Sequence, residues 1–184
     1  MQTTYPGTTV ETVSLGKGSS QTLFDGIFAT GGITLSQVSV MTGLEPYMIQ
    51  NWVKRGFVSS PEKRMYSRDQ FARIVIINML RDSLQIDRIC GLIGIITGDP
   101  EDASDDLISD EELYHRFVNM VADSSLNPAD ASSVRSVAEN AAADFVERSA
   151  NAKKQLVRIL EVMLYARAAS AYREKASEMM SALQ

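Results

Sequence analysis

Thr34-Leu35-Ser36-Gln37-Val38-Ser39-Val40-Met41-Thr42-Gly43-Leu44-Glu45-Pro46-Tyr47-Met48-Ile49-Gln50-Asn51-Trp52-Val53-Lys54-Arg55-Gly56 is the stretch on which the fold turns. Leu35, Val38 and Met41 stand at i, i+3 and i+6, one face of a short helix that Thr34 can cap. Gly43 supplies the positive φ that a tight turn between two helices demands. Glu45 and Pro46 open a second helix, where the missing proline N–H leaves no bond unmade, and Gly56 closes it after Arg55. On this second helix Ile49, Trp52 or Val53, and the following Phe57 face inward. Tyr47, Gln50, Asn51 and Lys54 recur at i, i+3, i+4 and i+7 as one outward stripe that contains no acid.

Residues 57–66 are too short and polar for a helix and fit a small hairpin or loop ending at Tyr66. Ser67 then caps a helix through Asp82, with Asp69 and Gln70 in its first turn. A further helix from Ile86 to Ile96 carries Ile86, Ile89, Ile93 and Ile96 at helical spacing. Toward the N-terminus, residues 23–28 form a short apolar clasp, and residues 1–22 read as a mobile arm rich in Thr, Ser and Gly. Gly16-Lys17-Gly18-Ser19 within it lacks the residue order of a phosphate-binding loop.

Residues 99–112 hold eight acids and no base. Without a central glycine they do not make a calcium loop, so a solvated linker is the reading, with 98–109 as the boundary. Beyond it Asp110–Val121 reads as one helix. Asn127-Pro128 opens another that runs to about Arg148, and the last spans roughly Ala150–Leu183. Its apolar stripe (Leu156, Ile159, Leu160, Met163 and Leu164, continuing to Leu183) needs either a small domain to support or a second copy to pair with.

The 184 residues are 45% hydrophobic and 22% charged, the balance of a globular chain, with a net charge of −5. That charge is unevenly spread. Residues 34–81 hold seven basic and three acidic side chains, +4, which leaves −9 on the rest. A basic module on an acidic body is the electrostatic footprint of a nucleic-acid reader. The single cysteine, Cys90, excludes an internal disulfide; the first residues lack the basic-then-apolar order of a signal peptide, and no membrane segment is expected. These features suit the cytoplasm.

The motifs resemble those of MerR-type regulators. Thr34–Pro46 is similar to their opening helix and Thr-Gly-x-x-Pro turn. Ile49–Val58 is similar to their recognition helix, and Arg64-Met65-Tyr66-Ser67 to the wing and the cap that follows it. The variant Gln-Asn-Trp-Val-Lys-Arg-Gly with a helical tail resembles the bacterial family domain of unknown function 1836. The resemblance implies an all-α fold with an N-terminal winged helix-turn-helix (a small β wing) at 23–97 and an all-helical region at 110–184 with a long last helix, serving dimerisation or an effector. It implies that Lys63 and Arg64 grip phosphate while Tyr66 packs the wing. Arg and paired Tyr are usual in that family where Gln50, Asn51 and Trp52 stand here, so its base preference does not carry over. Its metal sensing does not either, because Cys90 and His115 alone build no site.

Gln50 and Asn51 can pair with adenine edges, Tyr47 can bond phosphate, and Lys54 and Arg55 can hold the backbone. Trp52 reads as a core plug in preference to a base-stacking group. Cys90 reads as an inert thiol, and His115 as a residue of a surface helix. Gly91, Gly94 and Gly98 read as helix–helix packing positions, and no nucleophile–base pair recurs. The expected function is a sequence-specific DNA-binding transcription regulator, a homodimer on double-stranded DNA at a near-palindromic site. No catalytic, cofactor or metal role is expected, nor a membrane. The alternative is a protein-interaction module on the same scaffold; a small-molecule effector pocket among the C-terminal helices is a further expectation.

Overall fold

The computed structural model describes residues 3–101, 106–147 and 151–183, and helix dominates them. The helices are α1 (Ser19–Ile27), α2 (Leu35–Thr42), α3 (Pro46–Lys54), α4 (Arg68–Leu80), α5 (Ile86–Thr97), α6 (Asp110–Val121), α7 (Ala131–Ala141) and α8 (Ala152–Ser181). Among the described residues, strand is confined to two antiparallel pairs. β1 (Thr3–Thr4) pairs with β2 (Glu11–Thr12), and β3 (Ile33–Thr34) pairs with β4 (Met65–Tyr66) in the register Ile33↔Tyr66. A mainly helical chain ending in one long helix is therefore what the periodicity predicts and what forms.

Local chemistry sets the helix starts. Thr34 and Ser67 each close a capping box with the glutamine three residues on, Gln37 and Gln70. Each cap is worth about 1 kcal/mol to its helix. Ser109 accepts from the Glu112 N–H, and three acids in the first turn of α6 meet the positive end of its dipole. α4 is the central element. Its residues 70–77 are all buried, so it is apolar nearly all round and must be covered on every side. α6 lies along it, α2 and α5 pack on it, and α8 crosses α4, α5, α6 and α7. Phe24 of α1 fills the corner, its ring against Phe28, Phe71, Tyr114 and His115.

Several expectations are corrected. Residues 3–22 are not a loose arm but a strap over the core. Tyr5 is buried, the Tyr114 hydroxyl donates to Pro6 O, and Asn78 Nδ2 donates to Gly7 O. Gly7 sits so close to Val75 that a Cβ there would collide with the Val75 carbonyl. Gly18 N–H donates to Asn119 Oδ1, which fixes the start of α1 four residues earlier than the clasp at Leu23 suggested.

The acidic stretch is not a solvated linker between two domains. Its residues 102–105 lie outside the described residues. On either side of them, Glu101 accepts from Ser60 N–H, Leu107 and Ile108 donate to Ile96 O, and Ile108 is buried. Asp110 pairs with Arg73 at 2.9 Å, with both side chains almost wholly buried. Glu111 takes a two-pronged bond from Arg68, and Asp25 takes another. Buried residues from Tyr5 to Ala166 form one hydrophobic core, so residues on both sides of the expected boundary share it.

Three smaller differences have local causes. α7 begins at Ala131 because Asp130 caps it, while Asn127 makes a turn with Ala129 N–H instead; the expected end at Arg148 lies outside the described residues. α8 begins at Ala152 behind Asn151, whose φ of 69° cannot be helical, and Ala150 lies outside the described residues. Gly91 and Gly94 meet no neighbour where a Cβ would sit, so close helix packing does not explain them, and Gly98 ends α5 at φ 60°. Among the described residues no helix is long and apolar enough to cross a membrane.

Candidate nucleic-acid interface

Helices α2 and α3 are joined by Gly43, Leu44 and Glu45, and the joint is densely bonded. Gly43 takes φ 71° and its N–H donates to Ser39 O. Ser39 Oγ donates to Leu44 O at 2.6 Å, and Thr42 Oγ1 both donates to Val38 O and accepts from Leu44 N–H. Outside the pair, Thr9 donates to Met41 O through its N–H and to Val40 O through its hydroxyl, satisfying carbonyls that the end of α2 leaves open. Asn78 Nδ2 donates to Thr42 O as well as to Gly7 O. The strap, the α2–α3 turn and the central helix are thereby tied at one side chain.

This base holds α3 by its inner face. Ile49 is fully buried and Trp52 nearly so, against a core that includes Val38, Leu44 and Val58. Trp52 is thus a packing residue. Tyr47, Gln50, Asn51 and Lys54 are all exposed, Tyr47 at 68%. None of the four makes a side-chain hydrogen bond or ion pair to the rest of the described residues. Arg55 differs: it stacks over Phe57 at 4.3 Å and lies 3.7 Å from Asp87.

The expected hairpin or loop over 57–66 is a loop that ends in one tight turn. Glu62 bridges Met65, and Met65 N–H donates to Glu62 O. Lys63 and Arg64 at its tip both have positive φ, 49° and 65°. Such a two-residue turn favours Asn-Gly, and two long basic side chains there hold a backbone conformation that disfavours them. β4 leaves this turn to pair with β3, not with 57–61. The incoming arm is tied elsewhere: Gln70 Nε2 donates to Ser59 O, Ser59 Oγ and Ser60 O, and Val58 is buried. Tyr66 is buried, and burial raises its phenol pKa. Lys63 and Arg64 are exposed and make no ion pair among the described residues.

The positive charge is less free than its count suggests. Arg68 and Arg73 are consumed by Asp25, Glu111 and Asp110. Lys54, Lys63, Arg64 and Arg81 are exposed and have no ion-pair partner among the described residues. Sequence reading also misplaced His115. It is buried, with Nδ1 2.9 Å from Ser20 Oγ and Nε2 3.1 Å from Glu111 Oε1, and burial lowers its pKa despite the carboxylate beside it. Ser20 has no exposed surface, so this chain of three polar groups offers no nucleophile to a substrate. Burial also pushes the half-buried Cys90 thiol up to about 11, which leaves it protonated and unreactive at neutral pH. Among the described residues no group of acids, histidines and cysteine could hold a metal ion. Helices α1, α6 and α7 border a polar cleft of about 500 Å³ lined by Lys17, Gln21, Glu112, Arg116, Asn119 and Asp144.

The family described as Domain of unknown function (DUF1836) matches residues 32–117. The matched stretch opens at β3 and runs into α6, so it includes the acidic segment and the Arg73–Asp110 pair as well as α2 and α3. No curated protein and no solved structure matches the chain.

Proposed function

We propose that the protein is a sequence-specific DNA-binding transcription regulator whose α2–α3 pair and basic turn work as a MerR-like winged helix-turn-helix, two copies reading a near-palindromic site. The observation that carries this reading is the outer face of α3. Tyr47, Gln50, Asn51 and Lys54 form an exposed stripe without an acid, with no side-chain hydrogen bond or ion pair among the described residues, on a helix whose inner face is locked. A side chain meant only for solvation does not need such a rigid mount, whereas base reading depends on one.

In this reading α3 lies in the major groove. Gln50 and Asn51 present the amide pair of donor and acceptor that matches the N6/N7 edge of adenine. Tyr47 and Lys54 bond flanking phosphates, and Arg55, already oriented by Phe57, adds a backbone contact. Lys63 and Arg64 reach a further phosphate from the tip of the strained turn, and that strain supports a functional role for the pair. The wing grips and α3 reads.

The exposed Val40 on α2, 75% accessible, together with Tyr47, favours a second reading as a protein-docking face. Titration of the purified chain against genomic fragments at two salt concentrations separates them. DNA reading gives selective binding that weakens steeply with salt and falls when Lys54, Arg55, Lys63 and Arg64 are neutralised. Absence of selective binding at low salt refutes it.

A further inference from the structure

Arg167 carries a largely buried charge that no acid among the described residues answers. It follows the buried Ala166 on α8 and stands three residues before the buried Ser170, yet it makes no hydrogen bond or ion pair among the described residues. Burial lowers its pKa, opposed through space by the Tyr114 phenol and Glu174. Other sheltered guanidinium groups are answered directly: Arg68 by Asp25 and Glu111, Arg73 by Asp110, and Arg116 by Glu112 and Asp144. A charge taken out of water without a partner destabilises the fold. Its presence at Arg167 points to a partner from outside the chain.

Arg167 borders an open cavity of about 310 Å³ between the strap, the ends of α2 and α4, and α8. Arg81 borders it too, exposed, with only a long contact of 4.0 Å to the Met48 sulfur. Two guanidinium forks match the paired oxygens of a carboxylate or a phosphate. The same cavity also offers acceptors. Asn78 directs its Nδ2 at Gly7 O and Thr42 O, which turns its amide oxygen away from both and leaves that oxygen with no donor among the described residues. Glu174 stands on the rim, exposed and without an ion-pair partner among the described residues, whereas Asp82 faces Arg173. α2 and α4 both end beside the cavity, at Thr42 and Leu80, and bring the negative ends of their dipoles. These groups oppose a phosphate dianion, whose sites lie at the other ends of helices. They suit a single carboxylate with a hydrogen-bond donor beside it. The volume is at the small end for ligand sites, so the molecule is small.

We infer that this cavity binds a small amino or hydroxy acid, with its carboxylate on Arg167 and Arg81 and its amino or hydroxyl donor on Asn78 Oδ1 and Glu174. Thr8, Thr42 and Ser170 also line the cavity, so the bound acid touches the strap, the end of α2 and α8 at once. It thereby braces the base of the α2–α3 pair from the side away from the exposed stripe of α3. The site stands whether or not α3 reads DNA, and its test needs no DNA.

Thermal melting of the full chain with a set of α-amino acids, a set of α-hydroxy acids and inorganic phosphate tests the site. At least one acid is expected to raise the melting temperature by about 5–10 °C at a hundredfold excess over its Kd, and the set it belongs to identifies the donor. Phosphate is expected to give no such rise. Arg167→Met is expected to weaken that acid ~10-fold or more, while the ligand-free variant melts no lower than wild type because it loses an unanswered charge. Glu174→Gln, at an exposed position, is expected to weaken an amino acid more than a hydroxy acid. Binding is expected to slow amide exchange at Thr8, Thr9 and Gly43 but not in α7. The proposal is overturned if no acid raises the melting temperature, if phosphate does so equally, or if the rise survives Arg167→Met. A ligand-free Arg167→Met chain that melts well below wild type also overturns it, since the arginine then serves the fold.

Discussion

Replacing Arg73 by Met tests the joint between the basic stretch and the acidic one. Arg73 and Asp110 are bonded at 2.9 Å with side chains 3% and 10% exposed, and Arg73 Nε and Asp110 Oδ1 have no hydrogen-bond partner among the described residues. Removing the arginine strands a buried carboxylate, which costs about 3–5 kcal/mol. The fold then depends on pH in a particular direction. Burial already pushes the Asp110 carboxyl up to about 6, against the attraction of Arg73. A carboxyl whose folded pKa exceeds its unfolded value favours the folded state as pH falls from the first toward the second. Without Arg73 the folded pKa rises further, so the variant regains stability relative to wild type on going from neutral to mildly acidic buffer. There the neutral acid costs only about 1–3 kcal/mol. Arg73→Met with Asp110→Leu removes both charges and is expected to lie within about 2 kcal/mol of wild type, on either side. Urea unfolding at both pH values reads all three chains. A single-variant cost below about 1 kcal/mol, or a double variant no more stable than the single, refutes the reasoning.

Other consequences follow from the same geometry. Asn78→Ala removes the donor shared by Gly7 and Thr42 and is expected to cost about 2 kcal/mol, with faster amide exchange at Thr9 and Gly43 but not in α7. Lys63→Asn with Arg64→Gly relieves the positive-φ turn, so thermal melting is expected to show a gain on the order of 1 kcal/mol, while DNA titration shows weaker binding to all sequences alike. His115 has a folded pKa below its ordinary 6.5, so the unfolded chain takes up the proton first and stability is lost as pH falls through that value. His115→Gln is expected to flatten this part of the pH–stability profile; an unchanged slope contradicts it.

Features that depend on near neighbours were legible in the sequence. Thr34 with Gln37, Ser67 with Gln70 and Gly43 specify their caps and turn within a few residues, and α6 begins and ends where its composition places it. The exposed stripe of α3 follows from the period of its apolar residues. What was not legible depends on distant partners. The strap over residues 3–22 is held by Asn78, Tyr114 and Asn119, and composition alone makes such a polar stretch look free. The acids of 99–112 look like a solvated run until Arg68 and Arg73 are known to stand opposite, and the same pairing removes two of the charges counted toward DNA. His115 sits between polar neighbours in sequence, yet the fold places Ser20 and Phe24 of α1 over it.

The central claim is that the outer face of α3 reads bases. Its most direct test is the ratio of affinities for a genomic fragment enriched by the purified chain and for a shuffled fragment of equal length, measured by fluorescence anisotropy for wild type and for Asn51→Ala. Loss of one bidentate contact of about 1–3 kcal/mol predicts a fall of that ratio by roughly 5- to 150-fold, with binding to the shuffled fragment unchanged. A ratio that does not move, or a wild-type chain that enriches no fragment at low salt, contradicts the account.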